Sequence, residues 1–289
     1  MTDYSIVRDW YDRPYVTSDG SPLQYASGRK SPVNAEPYTR ISTLSGTLDD
    51  KQGLVDWAAA RAMMGTVKNP AISAQIAHLM SAYDDPWSVG EAKKPLKQLV
   101  QKAMELGGSA DAAGLGTAFH GLTECIDRGE PPAYVPADFA PWIEARQIAL
   151  EDFEPVLIEP FIVNDELRVA GNPDRYLRHK QTGVVYAADD KTGTSEPAFP
   201  LKVTVQVAIA SRGVLYDQST GERTPIECSQ DLGILIHTPI RDGEARCDLY
   251  WLDLTLGWEL AQLSALVRAA RKVPKLIKVS KEWKLLDGA

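Results

Sequence analysis

The run VVYAADDKTG, residues 184–193, drives a strand-forming apolar segment straight into two aspartates and a lysine. Adjacent carboxylates repel, and taking them out of water is costly unless positive charge sits beside them. A fold that buries Val184, Val185 and Tyr186 must therefore end this strand where Asp189 and Asp190 are compensated. Lys191 supplies half of that compensation, and a metal ion would supply the rest. Strand alternation puts Asp189 and Lys191 on one face and turns the Asp190 side chain to the other, leaving its backbone carbonyl available as a ligand. Thr192-Gly193 then turns the chain.

The surroundings define an order of elements. Residues 1 to about 40 are rich in Pro, Ser, Gly and Tyr without periodicity, which reads as irregular or surface-draped chain. Helical spacing follows, with Val55, Ala58, Ala59 and Ala62 on one face and Ile72, Ile76, Leu79 and Met80 on another. A third helix is expected to start near Pro95 and to bury Leu96, Leu99, Val100 and Ala103. A fourth carries Leu115, Phe119, Leu122 and Ile126 as its apolar stripe, and a fifth lies around 138–151. From residue 155 the texture changes to short β-rich runs at 155–163, 167–178 and 183–190, which predict an antiparallel meander of three strands. Residues 200–213 fit either period, and the order of elements selects helix. A hairpin across RDGE (241–244) and a final helix over about 255–272 complete the chain. The predicted class is α/β (α+β), with a central mixed sheet flanked by helices and a helical N-terminal extension.

Asp174, in VAGNPDRYL, lies on the strand before Asp189, and an antiparallel pairing brings the two to the same end of the sheet. Two such carboxylates make a hard-oxygen site suited to Mg²⁺ or Mn²⁺, and the chemistry it serves is phosphodiester hydrolysis with Lys191 stabilising the transition state. An Asp-Asp-Lys triplet alone is more often a solvated turn. His120, beside an apolar stripe, is either a packed core residue or a ligand, and Glu124 and Asp127 make the polar edge of its helix acidic.

Taken in order, Gly116-x-x-x-His120, Gly171-x-Pro173-Asp174, Asp189-x-Lys191-Thr192-Gly193 and Gln206 resemble the PD-(D/E)XK nuclease superfamily. More narrowly, they are similar to the RecB-type nuclease domain and to phage exonucleases related to CRISPR-associated iron–sulfur nucleases. The resemblance covers about residues 108–216. It implies a restriction-endonuclease-like core over 108–272, between an extension at 1–107 and a basic tail at 273–289. It further implies His120, Asp174, Asp189 and the Asp190 carbonyl as metal ligands, Lys191 as catalytic lysine and Gln206 as a substrate-positioning residue. Glu124 and Glu159 stand as second-line acids. The implied function is a metal-dependent DNA exonuclease of phage-type recombination or processing, cytoplasmic, with DNA and a single-strand-binding or recombination protein as partners. Two rivals are a non-catalytic DNA-binding or assembly subunit on the same fold and a sequence-specific endonuclease. The tyrosine that usually follows the glutamine is replaced by Ala210, and Cys125, Cys228 and Cys247 cannot supply a four-cysteine set, so no iron–sulfur cluster is expected.

The whole chain agrees with a protein of this kind. Three scattered cysteines argue against a disulfide framework and for a reducing compartment. The first fifteen residues carry no basic start followed by an apolar block, which reads as no signal peptide, and no apolar run approaches a membrane span. A net charge of -8 gives no global attraction to nucleic acid, so binding must be local or through metal ions. Lys272, Lys275, Lys278, Lys281 and Lys284 recur every third residue around Trp283, as a backbone grip or a solvated face. Trp142, Trp251 and Trp258 read as core. No P-loop, GxSxG or dinucleotide fingerprint occurs, which disfavours nucleotide hydrolysis and cofactor redox chemistry.

Overall fold

A computed structural model of the chain describes residues 6–273 apart from 131, 133, 195 and 242. Strands β1 (Tyr15–Thr17) and β2 (Ala35–Pro37) pair antiparallel, and β3 (Thr39–Arg40) runs into the short α1 (Ile41–Ser45). Then come α2 (Gln52–Lys68), α3 (Pro70–Ala82), α4 (Gly90–Met104), a π-helical turn at Glu105–Ser109, α5 (Ala110–Asp127) and α6 (Ala140–Ala149). The β-rich part holds β4 (Phe153–Ile158), β5 (Ile162–Asn164), β6 (Val169–Gly171), β7 (Arg175–His179) and β8 (Val185–Thr192). After α7 (Pro200–Ser211) follow β9 (Val214–Tyr216), β10 (Arg223–Pro225), β11 (Leu232–Thr238), β12 (Asp248–Asp253) and α8 (Leu254–Ala270).

Two five-stranded mixed sheets result, ordered β12-β11-β8-β7-β4 and β10-β9-β5-β6-β3, so the chain is α+β as its patterning predicts. In the first, β8 pairs antiparallel with β7 and parallel with β11, which makes it an interior strand. One face of this sheet packs Tyr176, Ala187, Leu235 and Leu252 against Val205, Ala208 and Ile209 of α7 and Leu254 and Ala261 of α8. On α5 and α6, Phe119, Trp142 and Ile143 form a separate cluster with Phe139.

The expected three-strand meander is overturned in detail. Each of its first two runs breaks into two short strands that enter different sheets. The first break falls at Glu159-Pro160, where Glu159 adopts φ 51°, and the second at Asn172-Pro173. Proline cannot donate to a ladder, and a left-handed residue turns the strand out of plane. The N-terminal segment is irregular and largely exposed over 18–32, as expected, but its flanking strands are built into the fold. Val16 and Tyr38 are buried with Val163, Ala170 and Tyr216, and the Tyr216 hydroxyl accepts from Thr17 N–H at 3.0 Å.

In the helical part, α4 starts at Gly90, so Pro95 lies inside it rather than at its head. Ala92, Leu99 and Ala103 are buried in line, while Val100 is exposed. The face expected for α2 is also misplaced, since Val55 is exposed and Gly65 is the buried residue. A Cβ on Gly65 would lie 1.7 Å from the Ala103 carbonyl oxygen, and one on Gly107 would lie 2.0 Å from that of Arg61. Close backbone approach at two glycines sets this crossing, and apolar periodicity does not register it. Met80 and Leu115 are exposed, and Trp251 lies 57% exposed on the edge strand β12, although Trp142 is buried as expected. No helix of the described residues is long and apolar enough to cross a membrane. Of the lysine series, all but Lys272 lie outside the described residues.

Candidate functional site

The end of β8 is where the predicted residues meet. Pairing of Arg175 with Ala188 in the β7–β8 ladder sets Asp174, just before β7, beside Asp189 and Asp190. Asp174 Oδ2 accepts the backbone N–H of Asp190 at 2.7 Å. Asp189 is 2% exposed and faces α7, from which Gln206 Nε2 donates to its Oδ1 at 2.9 Å. The Lys191 ammonium donates to Asp189 Oδ2 and, at 3.2 Å, to the Asp190 carbonyl oxygen. Strand alternation thus places Asp189 and Lys191 together, as their spacing requires.

Electrostatics at this point are dominated by crowded acids. Burial, followed by the charge of Asp174, pushes the Asp189 carboxyl up to about 6 against the pull of Lys191. Burial alone would lower the Lys191 pKa, but Asp189 and Asp174 raise it above the usual lysine value, so the ammonium stays charged at neutral pH. Glu159 is pushed up to about 7 by burial and then by Asp174 and Glu124. Its strained left-handed backbone holds it there, with its N–H on the Asp174 carbonyl at 3.0 Å.

His120 lies within the electrostatic reach of Asp174, Lys191, Arg175 and Glu124. Burial lowers its pKa below 6.5, so the imidazole is neutral at pH 7 and can accept or ligate. One turn earlier, Gly116 packs against the end of β8: a Cβ there would lie 2.9 Å from Thr192 Oγ1. The glycine of this helix is therefore needed for close approach. Glu124 is bonded by Arg128 at 3.4 Å on the helix surface, and its charge still reaches Glu159.

Under the site lies a network that sequence reasoning missed. Asp190 Oδ2 accepts from Arg175 and, at 3.3 Å, from Arg146. Arg146 also donates to both oxygens of Asp127, at 3.0 and 2.9 Å, and Arg175 donates to Asp127 and to Thr123 Oγ1. Both arginines are at most 2% exposed. The network ties α5 and α6 to β7 and β8 on the sheet face opposite α7. Two features could have signalled it: Asp127 on the acidic edge of α5, and Asp190 turned to the face opposite Asp189.

The donors near Asp189 are mostly hard, two carboxylates and a backbone carbonyl, with a neutral imidazole as a borderline fourth. That chemistry fits a divalent cation. Among the described residues, no three His, Cys, Asp or Glu side chains converge closely enough to hold an ion as they stand, and the Lys191 ammonium bridges Asp189 and the Asp190 carbonyl. Compared with models of known protein families and with curated proteins, the chain matches none.

Proposed function

We propose that this chain is a metal-dependent deoxyribonuclease, acting as an exonuclease in the cytoplasm. One observation carries the reading: Asp189, Lys191 and Gln206 are locked together at the buried end of β8, with Asp174 beside them. A structural ion pair has no need of a second carboxylate at its side, and Asp174 works against the ionisation of Asp189.

Asp174, Asp189 and the Asp190 carbonyl, with His120, would hold Mg²⁺ or Mn²⁺. Bound there, the cation supplies Lewis acidity, which acidifies a water and neutralises phosphate charge. The chain's own groups do the rest. An ammonium has three N–H donors, and Asp189 and the Asp190 carbonyl take two of those on Lys191. The third is left for a phosphate oxygen, and the side chain is 34% exposed, open to a substrate. Gln206 fixes the carboxylate orientation of Asp189. Glu159, poised near neutrality, can take up or release a proton at its carboxyl during turnover.

End-labelled linear DNA, incubated with and without Mg²⁺ or Mn²⁺, tests the reading, with a closed circular plasmid in parallel. Metal-dependent shortening of the linear substrate with the circle left intact is expected. Cleavage of the circle would replace the exonuclease reading with an endonuclease one. DNA binding without cleavage under either metal would favour a non-catalytic subunit.

A further inference from the structure

Beside the site lies a cavity of about 380 Å³ whose lining includes Arg8, Asp12, Arg40, Asn172, Pro173 and Gln206. It adjoins the site through two residues: Pro173, the chain neighbour of Asp174, and Gln206, which bonds Asp189. Its charge is positive on balance, two guanidiniums against one carboxylate. Asp12 Oδ2 accepts from Arg40 Nη1 at 2.5 Å, and its Oδ1 lies 3.7 Å from Arg8 Nε. Arg8 also reaches Asn172 Oδ1 at 3.5 Å and the Asp12 carbonyl at 3.3 Å. Arg40 Nε is buried with no hydrogen-bond partner. The Arg40 side chain as a whole is 41% exposed, and the guanidinium N–H groups that Arg40 and Arg8 turn toward Asp12 are the donors an incoming anion would take.

Asp12 is poorly suited to be a structural partner. Its side chain is 57% exposed and its backbone is left-handed at φ 60°. The turn it sits in is held by a different acid. Asp9 Oδ1 accepts the Tyr11 and Arg13 N–H groups at 2.9 and 2.8 Å, and its Oδ2 accepts from Arg13 Nε at 2.8 Å. The Asp12 carboxylate can therefore leave the arginines while Asp9 keeps the turn. Guanidinium forks match phosphate oxygens at least as well as they match a carboxylate, and two of them outbid one.

We propose that the Arg8–Arg40 cavity is a phosphate subsite that holds the nucleic-acid strand beside the Asp189 site, with Asp12 as the internal anion that fills it between substrates. This rests on the reading of the chain as a nuclease. The strand's phosphate displaces Asp12, takes over its bonds from Arg40 and Arg8, and anchors the substrate beside Gln206 and Pro173. The ligand is a phosphate in either of two forms, a terminal monoester or an internal diester.

Fluorescence anisotropy of short labelled oligodeoxynucleotides, with and without a terminal phosphate and in EDTA so that nothing is cut, measures this subsite apart from catalysis. Arg40→Ala and Arg8→Ala should each weaken binding about tenfold or more and reduce the salt slope by about one. Asp12→Asn keeps a residue that tolerates the left-handed backbone and should tighten binding by about two- to tenfold, the worth of the exposed ion pairs it removes. A terminal-phosphate preference that disappears in Arg40→Ala assigns the monoester, and equal binding of both oligonucleotides with the same arginine dependence assigns the diester. Folded arginine variants that bind like the wild type, or Asp12→Asn binding no tighter, would overturn the proposal. Cleavage with Mn²⁺ is scored separately. Arginine-dependent binding without cleavage by the wild type removes the nuclease reading and leaves the subsite, whereas cleavage with arginine-independent binding does the reverse.

Discussion

Neighbouring aspartates on β8 have opposite physical roles. Asp189 faces Lys191 and Gln206 at the site, and Asp190 faces two buried arginines. Asp189→Asn should abolish cleavage and leave the urea midpoint near that of the wild type, because the Asn oxygen still accepts from Lys191 and a turned Gln206 amide can accept from the Asn NH2. Asp190→Asn removes charge from beneath Arg146 and Arg175, each at most 2% exposed, and breaking a buried pair costs about 3–5 kcal/mol. Urea unfolding of the two variants at one pH, with cleavage rates alongside, checks the split, and the reverse ranking would mean the faces are misassigned. Lys191→Ala should lower the cleavage rate by about 10²–10³ with the far-ultraviolet circular dichroism unchanged, the usual loss for one transition-state donor. Residue alternation made Asp189 and Lys191 legible in the sequence, since it depends only on neighbours. Arg146 and Arg175 were not legible. A buried arginine looks like a surface one until the acids it meets are brought in from distant elements.

Elements that position the site do so by tight contact more than by apolar patterning. The helical order and the β11–β12 hairpin could be read from periodicity, as pairing of Leu232 with Asp253 through His237 with Asp248 bears out, whereas α7 needed the order of elements. The split of the meander could not, because Glu159-Pro160 and Asn172-Pro173 interrupt runs whose composition is otherwise that of continuous strands. At the contact of α5 with β8, Gly116 leaves no room for a Cβ over Thr192 Oγ1. Gly116→Ala should therefore displace His120 from the end of β8 and reduce cleavage, with only a small change in stability. Thr192→Ala removes the opposing atom. Cleavage rates around this double-mutant cycle should show Gly116→Ala harmful alone and near neutral on the Thr192→Ala background. An equal effect on both backgrounds would place the glycine's importance elsewhere.

At the scale of the whole molecule, two ionic clusters join parts that are distant in sequence. Asp127 links α5 to α6 and β7 through Arg146 and Arg175, and Asp165, just after β5, takes Arg223 of β10 and the hydroxyl of Tyr38, next to β3, which ties together distant segments of the second sheet. Burial pushes the Asp127 carboxyl up, but the charges and hydrogen bonds of Arg146 and Arg175 outweigh it and hold the pKa below its ordinary value. For Asp165, burial is likewise outweighed by hydrogen bonds from Arg223 and Tyr38. In both cases the folded carboxyl binds a proton less readily than the unfolded one, so unfolding takes up protons in acid. The stabilisation is fully present above the unfolded carboxyl pKa of about 3.9 and is lost as pH falls through the lower folded values. The urea midpoint should therefore be flat near neutrality in respect of these two groups and decline below about pH 4–5. Asp127→Asn should lower the midpoint near neutrality, where its charge is needed, and make the acid decline shallower, since one proton uptake is removed. Midpoints for wild type and Asp127→Asn at several pH values between about 3 and 6 decide it. Parallel curves would show that Asp127 titrates alike in both states and that its arginines do not hold it ionised.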